Sequence, residues 1–198
     1  MNLSISALKK GLFVAIVLLF SSQFSFAQIK YSAKDYVNIV ISGTSTLHDW
    51  DMKSAKSDCE ATFVINEDGL PKSLTSLSFS TNVDGLKSGH GAMDKNAYKA
   101  LKTDKYNNIV FKATSGVITA IDANNFTIVC KGKLTIAGTS VDTDLSAKGK
   151  LNADKSISVS GVKKISMKDY NVQPPTFGFG AIKTGNDISV KFDLTIKK

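Results

Sequence analysis

From residue 36 onward, apolar and polar residues alternate with a period of two over most of the chain, the pattern of strands that bury one face. The alternation predicts eight strands, over about 36–42, 57–65, 73–83, 109–121, 126–136, 140–151, 156–167 and 188–197. The last is the cleanest, with Ile188, Val190, Phe192, Leu194 and Ile196 set against Ser189, Lys191, Asp193, Thr195 and Lys197. Turn residues such as Asn66-Glu67-Asp68-Gly69 and Ala137-Gly138 separate the runs. One stretch breaks the period. Ala92, Met93, Ala97, Ala100 and Leu101 recur at helical spacing, with Lys95, Lys99 and Lys102 on the remaining faces. Glycines at 85, 89 and 91 lead into it, and Asp94 sits where the amides of a helix start favour a negative charge. A short helix is therefore expected between the third and fourth strands, placed to close or buttress something.

Eight amphipathic strands with one apolar face each predict an all-β fold, an eight-stranded antiparallel β-barrel. The outward positions carry lysine, aspartate, serine and threonine, which fits a barrel in water and not one whose outer band faces lipid. Eight strands is also the size at which the interior is either just filled or holds one small ligand. The small residues Ala113, Cys130, Gly132, Ala147 and Gly149 share the inward phase with Phe63, Phe79, Phe111, Phe126 and Phe192. That composition suggests space, although strand glycines also serve bends and bulges, so a hollow and a filled barrel both stay open. If there is a cavity, its candidate lining is Phe63, Phe79, Phe111, Phe126, Ile128, Leu134, Leu145, Ala147 and Phe192. Phe177 and Phe179, on the Pro/Gly-rich loop 174–181, are expected across one mouth, as gate or as fixed closure. Trp50, the single tryptophan, reads as a plug or core anchor.

Charge and address narrow the classes. All 25 basic residues are lysine and the net charge is +8. Without arginine, the residue suited to bidentate phosphate recognition, no nucleic-acid partner is expected. The lysines fall mostly at outward strand positions, where they keep sheet surfaces solvated and discourage edge pairing. At the start of the chain, Lys9 and Lys10 precede the apolar run 11–20, and Ser25-Phe26-Ala27 offers small residues for a peptidase. The run is short for a membrane span, so residues 1–27 read as a cleaved secretory signal peptide. Cleavage leaves a single domain, 28–198, of 171 residues with a net charge of +6, exported to the periplasm or secreted, with no stable membrane insertion. Cys59 and Cys130 both share the apolar phase of their strands and read as small buried hydrophobes; a disulfide between them stays open.

Candidate chemistry is sparse. The two histidines are His48 and His90. His48 and Asp49 are adjacent, so on a strand they point to opposite faces and form no ready dyad. There is no nucleophile-elbow motif, no zinc-type spacing and no phosphate loop. No catalytic residue, metal or cofactor is expected, and the reading is of a protein that is not an enzyme.

The motifs in order resemble one family. Leu86–Tyr106 running into Ile109-Val110-Phe111, the hairpin Lys131–Leu145, the segment Lys164–Tyr170 and the closing strand Gly185–Leu194 are similar to the YceI-like family of secreted bacterial proteins. Thr46–Trp50 and Pro174–Gly180 look like a variant found in its Bacteroidetes branch. The resemblance covers essentially all of residues 28–198. It implies a lipocalin-like eight-stranded barrel holding a polyisoprenoid, a quinone-like chain or another long apolar lipid, for transport or storage. A stress-related interaction protein with a filled barrel is the alternative, as a monomer or homodimer in either case. Asn107 stands where the family has proline, and His90-Gly91 replaces an acid–base pair, so no headgroup contact carries over. The polar end of a ligand is expected near the glycine-rich loop and Lys87, Lys95 and Lys99.

Overall fold

The alternating segments pair into one antiparallel sheet that closes on itself. The computed structural model describes residues 27–34, 37–54 and 56–198. The predicted leader lies outside the described residues except for Ala27. The strands are β1 (Gln28–Ala33), β2 (Val37–Ser45), β3 (Trp50–Ser54), β4 (Ser57–Ile65), β5 (Pro71–Asn82), β6 (Leu86–Lys87), β7 (Asn108–Ala120), β8 (Asn125–Ile136), β9 (Thr139–Leu151), β10 (Ile157–Ser166), β11 (Thr176–Phe177) and β12 (Ile182–Ile196). The helix α1 (Gly91–Ala100) stands between β6 and β7.

Eleven of these segments resolve into eight positions around a lipocalin-like barrel. The ladder runs β1-β4-β5-β7-β8-β9-β10-β12-β2-β3-β6. At one end β1 pairs along β4 and also meets β12, where the Ser32 and Lys197 backbones exchange hydrogen bonds of 2.7 and 2.9 Å. At the other end β2 lies between β12 and β3, and β3 between β2 and β6. Thus β1 with β2, β3 with β4, and β5 with β6 each fill one position, the first two bent between their halves. Ser54, Ser57 and Thr81 mark the bend between β3 and β4, with their hydroxyls 2.7–2.8 Å apart in a closed trio.

All eight predicted strands are present, and the helix falls where expected. β1, β3, β6 and β11 were not predicted: β1 abuts the apolar leader, β3 (Trp50–Ser54) is a short run outside the predicted strands, and β6 and β11 are two residues each, too short to show alternation. β12 starts at Ile182, six residues before the predicted onset, because a bulge between Thr184 and Ile188 interrupts the alternation that betrays a strand.

The barrel has a sealed end and a loop-covered end. Turns 66–70, 121–124 and 152–156 lie at the sealed end, where Tyr31, Phe63, Phe126, Ile157 and Ile196 are all but inaccessible. Tyr31 and Phe63 meet edge to face with centroids 5.7 Å apart, a favoured aromatic geometry. The opposite end gathers the β2–β3 hairpin tip, α1, the Ala137-Gly138 turn and the loop 167–181.

Several inward glycines are occupied by rings. Gly149 pairs with Phe126, Gly161 with Phe192 and Gly43 with Trp50 across neighbouring strands. A Cβ added at any of these glycines would land on the partner's ring, and one at Gly132 would meet both the Lys112 carbonyl and the Phe111 ring. The small inward residues therefore divide. Gly132 and Gly149 make room for phenylalanines, not for a ligand, whereas Cys130 and Ala147 do border open space. Gly149→Ala is expected to destabilise the fold by about 1–3 kcal/mol through overpacking, read as a lower urea midpoint. Gly91→Ala, at an open helix start, is expected to leave the midpoint unchanged or raise it slightly.

Candidate binding cavity

The lid is held by polar contacts on one side and apolar ones on the other. Asp94, in the first turn of α1, accepts hydrogen bonds from Ser88 N–H (2.8 Å) and Ser88 Oγ (2.7 Å), pinning the helix start to the loop before it. Burial works against this carboxylate's charge, but the Ser88 hydrogen bonds, with Lys87 and His90 nearby, outweigh it and hold its pKa below the ordinary value. Tyr98 straps the helix to β6: its hydroxyl donates to the Leu86 carbonyl (2.8 Å) and accepts from Lys87 Nζ (2.7 Å). Met93, Ala97, Tyr98 and Leu101 pack on Met52, Val83 and Leu86. The helix ends at Ala100, and Lys102, with a φ of 55°, turns the chain out of helical geometry.

Beneath this lid lies a cavity of about 500 Å³. The predicted helical stripe, Ala92, Met93, Ala97, Ala100 and Leu101, forms part of its roof. Of the predicted lining, Phe63, Phe79, Phe111, Ile128, Leu134, Leu145, Ala147, Phe177 and Phe192 border it. Two predicted residues do not. Phe126 is 0% exposed, laid over Gly149 in the sealed end, so its inward phase makes it part of the floor packing. Phe179 is 113% exposed at a φ of 54°: the left-handed kink between Gly178 and Gly180 turns its ring away from the barrel. Of the two loop aromatics, only Phe177 meets the interior.

The way in is marked by residues that are both exposed and part of the lining: Leu47 and His48 on the hairpin tip, and His90 and Ala92 at the helix start. Leu47 is 65% exposed. The tip is fixed to β12, since Thr46 N–H donates to the Lys183 carbonyl (3.0 Å) and Lys183 N–H to Thr46 Oγ1 (3.1 Å). Trp50 is more than a core anchor: it lines the cavity while its indole N–H donates to the Thr44 carbonyl at 3.0 Å. His48 Nδ1 lies 2.6 Å from the Asp49 carbonyl oxygen, a spacing that fits an Nδ1–H donor and commits that nitrogen locally. A shallow polar cleft adjoins the opening, bounded by Asp49, Asp51, Ser88, Lys164 and Asp187.

The lysines expected near the ligand's polar end are elsewhere. Lys87 is exposed and engaged by Tyr98, and Lys95 and Lys99 lie on the solvent face of α1; none borders the cavity. One lysine that does border it was missed. Lys163 shares the inward phase of β10 with Val159 and Ile165, a signal present in the sequence but masked by the assumption that strand lysines face out.

Both cysteines line the cavity as free thiols. Burial, with Glu60 adding to it, pushes the Cys59 thiol up to about 12, and burial with Asp144 pushes Cys130 up to about 11. Neither is a ready nucleophile at neutral pH. Among the described residues no group of three or more His, Cys, Asp or Glu is placed to hold a metal ion, and no helix is long and apolar enough to cross a membrane.

Fold and cavity together define a lipocalin-like barrel with an apolar, lidded interior. The chain belongs to the YceI-like domain family, whose profile matches residues 23–196. It is similar in structure to BcnA of Burkholderia cenocepacia (TM-score 0.62, 14% identity, 82% of this chain and 96% of that one). It is also similar to a polyisoprenoid binding domain of Saccharophagus degradans implicated in plant cell wall breakdown (TM-score 0.60, 11% identity, 86% and 99% covered). The YCEI protein of Campylobacter jejuni follows (TM-score 0.51, 19% identity, 71% and 81% covered). At these identities the likeness is one of fold. No protein among the curated sequences matches.

Two tests follow from this geometry. Because the Asp94 pKa is lowered on folding, its anchor is at full strength above the ordinary 3.8 and is lost as acid protonates the folded carboxylate below it. The urea midpoint of the wild type is expected to fall more steeply below that pH than that of Asp94→Asn; equal slopes would show that this carboxylate contributes nothing. Thiol reagents at neutral pH are expected to leave Cys59 and Cys130 unmodified in the folded protein and to label both in urea. Failure to label without reductant in urea would reveal a disulfide.

Proposed function

We propose that the protein is a non-enzymatic, exported lipid-binding protein that holds a polyisoprenoid or similar apolar chain inside the barrel, for transport or storage in the periplasm. The observation that carries this reading is the roughly 500 Å³ interior, walled by phenylalanine, leucine and isoleucine and roofed by the apolar face of α1. That volume is within the roughly 300–1,000 Å³ of small-molecule sites. It also speaks against a filled barrel acting through its loops alone. The family and the polyisoprenoid binding domain of S. degradans support the choice of ligand class.

The energetics suit such a ligand. Each buried methylene contributes roughly 0.8 kcal/mol, so a five-carbon isoprene unit contributes about 4 kcal/mol. Three or four units offset an association cost of about 4–15 kcal/mol without any charged contact. Export is supported by the leader pattern, and the non-enzymatic reading by a sequence without a nucleophile-elbow, zinc-type or phosphate-loop motif.

Native mass spectrometry of protein purified without detergent is expected to show an apolar adduct, and geranylgeraniol is expected to displace a fluorescent fatty-chain probe. Ala147→Trp fills the cavity from β9. Displacing only two methylenes costs about 1.6 kcal/mol, so its affinity for the prenyl alcohol is expected to fall more than tenfold with the fold retained by circular dichroism. Absence of both adduct and displacement in the wild type would overturn the proposal.

A further inference from the structure

The barrel wall has a notch, and the notch has a cation in it. β9 and β10 are hydrogen-bonded only from Leu151↔Ile157 to Lys148↔Ser160, although both strands continue toward the lid. Beyond that point the ladder stops, while Thr143, Leu145 and Ala147 on one flank and Lys163 and Ile165 on the other still border the cavity. Lys163 reaches across the notch, where Nζ donates to the Asp144 backbone carbonyl at 2.8 Å. It is the one Lys, Asp or Glu among the described residues that line the cavity.

This lysine is under-partnered. An ammonium carries three donors, and Lys163 has a single neutral acceptor, with no carboxylate within ion-pair distance among the described residues. Its side chain is half-buried, with the aliphatic stem set in an apolar wall. The Thr143 hydroxyl, beside Asp144 on β9, lies on the same wall. The rim of the lidded opening has the opposite character. Its polar cleft holds Asp49, Asp51 and Asp187 against Lys164, a field that disfavours an anion.

We infer that the notch at Lys163 is a headgroup subsite for the anionic end, a carboxylate or a phosphate monoester, of an apolar chain whose tail fills the cavity. The inference rests on the lipid-binding reading and adds where the polar end sits and what charge it bears. An anion placed there gives Lys163 a charged partner, exchanges the Asp144 carbonyl for a charge-assisted hydrogen bond and meets the hydroxyl of Thr143. The tail then runs toward Phe63 and Phe111, away from the acidic rim.

The test compares matched pairs, geranylgeranyl phosphate with geranylgeraniol and palmitate with hexadecanol, by calorimetry or probe displacement. The wild type is expected to prefer the anion of at least one pair by on the order of tenfold, the size of one charge-assisted hydrogen bond. Whichever pair shows the larger preference identifies phosphate or carboxylate as the headgroup. Lys163→Met is expected to erase the preference by lowering affinity for the anion far more than for the alcohol, and Lys163→Arg to retain most of it. Thermal melting of the ligand-free variants controls for folding. Equal affinity for anion and alcohol in the wild type overturns the subsite but leaves lipid binding standing. An equal loss for both ligands in Lys163→Met also overturns it, by showing that the lysine only staples the wall. Binding of neither member of either pair overturns both the subsite and the lipid-binding reading.

Discussion

The structure depends on aromatic rings lying flat against glycine in the neighbouring strand. Phe126 on Gly149, Phe192 on Gly161 and Trp50 on Gly43 each put a large apolar surface where a side chain would otherwise stand. A ring placed this way fills the layer just inside the wall instead of projecting to the barrel axis. Sealing the far end with Tyr31, Phe63, Phe126, Ile157 and Ile196 is then compatible with leaving space above it. Had the same rings projected inward over alanines or valines, the interior would have been crowded and the wall less closely packed.

The cavity inherits an asymmetry from that arrangement. Its floor is closely packed and all but inaccessible, whereas its roof is a ten-residue helix joined to the barrel by a few named contacts. Tyr98 and the Ser88–Asp94 pair restrain the helix from its outer side, and Met93, Ala97 and Leu101 restrain it from within. An apolar occupant would extend the inner set. Lid and ligand would then share one apolar surface, which links the helix's placement to occupancy of the cavity.

Polar groups are distributed with equal economy. Acids keep to the outer wall and the rim, and both cavity thiols are held protonated by burial. Among the described residues, the one ammonium that lines the cavity stands where the β9–β10 ladder stops. Electrostatic contrast between the acidic cleft and the neighbouring Lys163 sets apart one place in a cavity that is otherwise mostly apolar.

Period-two alternation determined the strands, because a barrel strand that buries one face must alternate, and the stripe Ala92–Leu101 determined the helix and its apolar side for the corresponding 3.6-residue reason. The order of motifs determined the family. Most of the lining followed too: the inward phase of Phe63, Leu145 or Ala147 is a local property of its own strand. What local phase could not decide is what an inward residue meets. Phe126 and Phe192 have the same pattern, yet one is sealed in the floor and the other borders the cavity, since that depends on height along the barrel. Phe177 and Phe179 are two residues apart on one loop, and a left-handed turn between two glycines sends them to opposite sides. The notch at Lys163 was equally invisible, because where a ladder stops is set by how two strands diverge and not by the residues of either one. Sequence alone determined which faces turn inward; tertiary structure decided where, behind those faces, there is space.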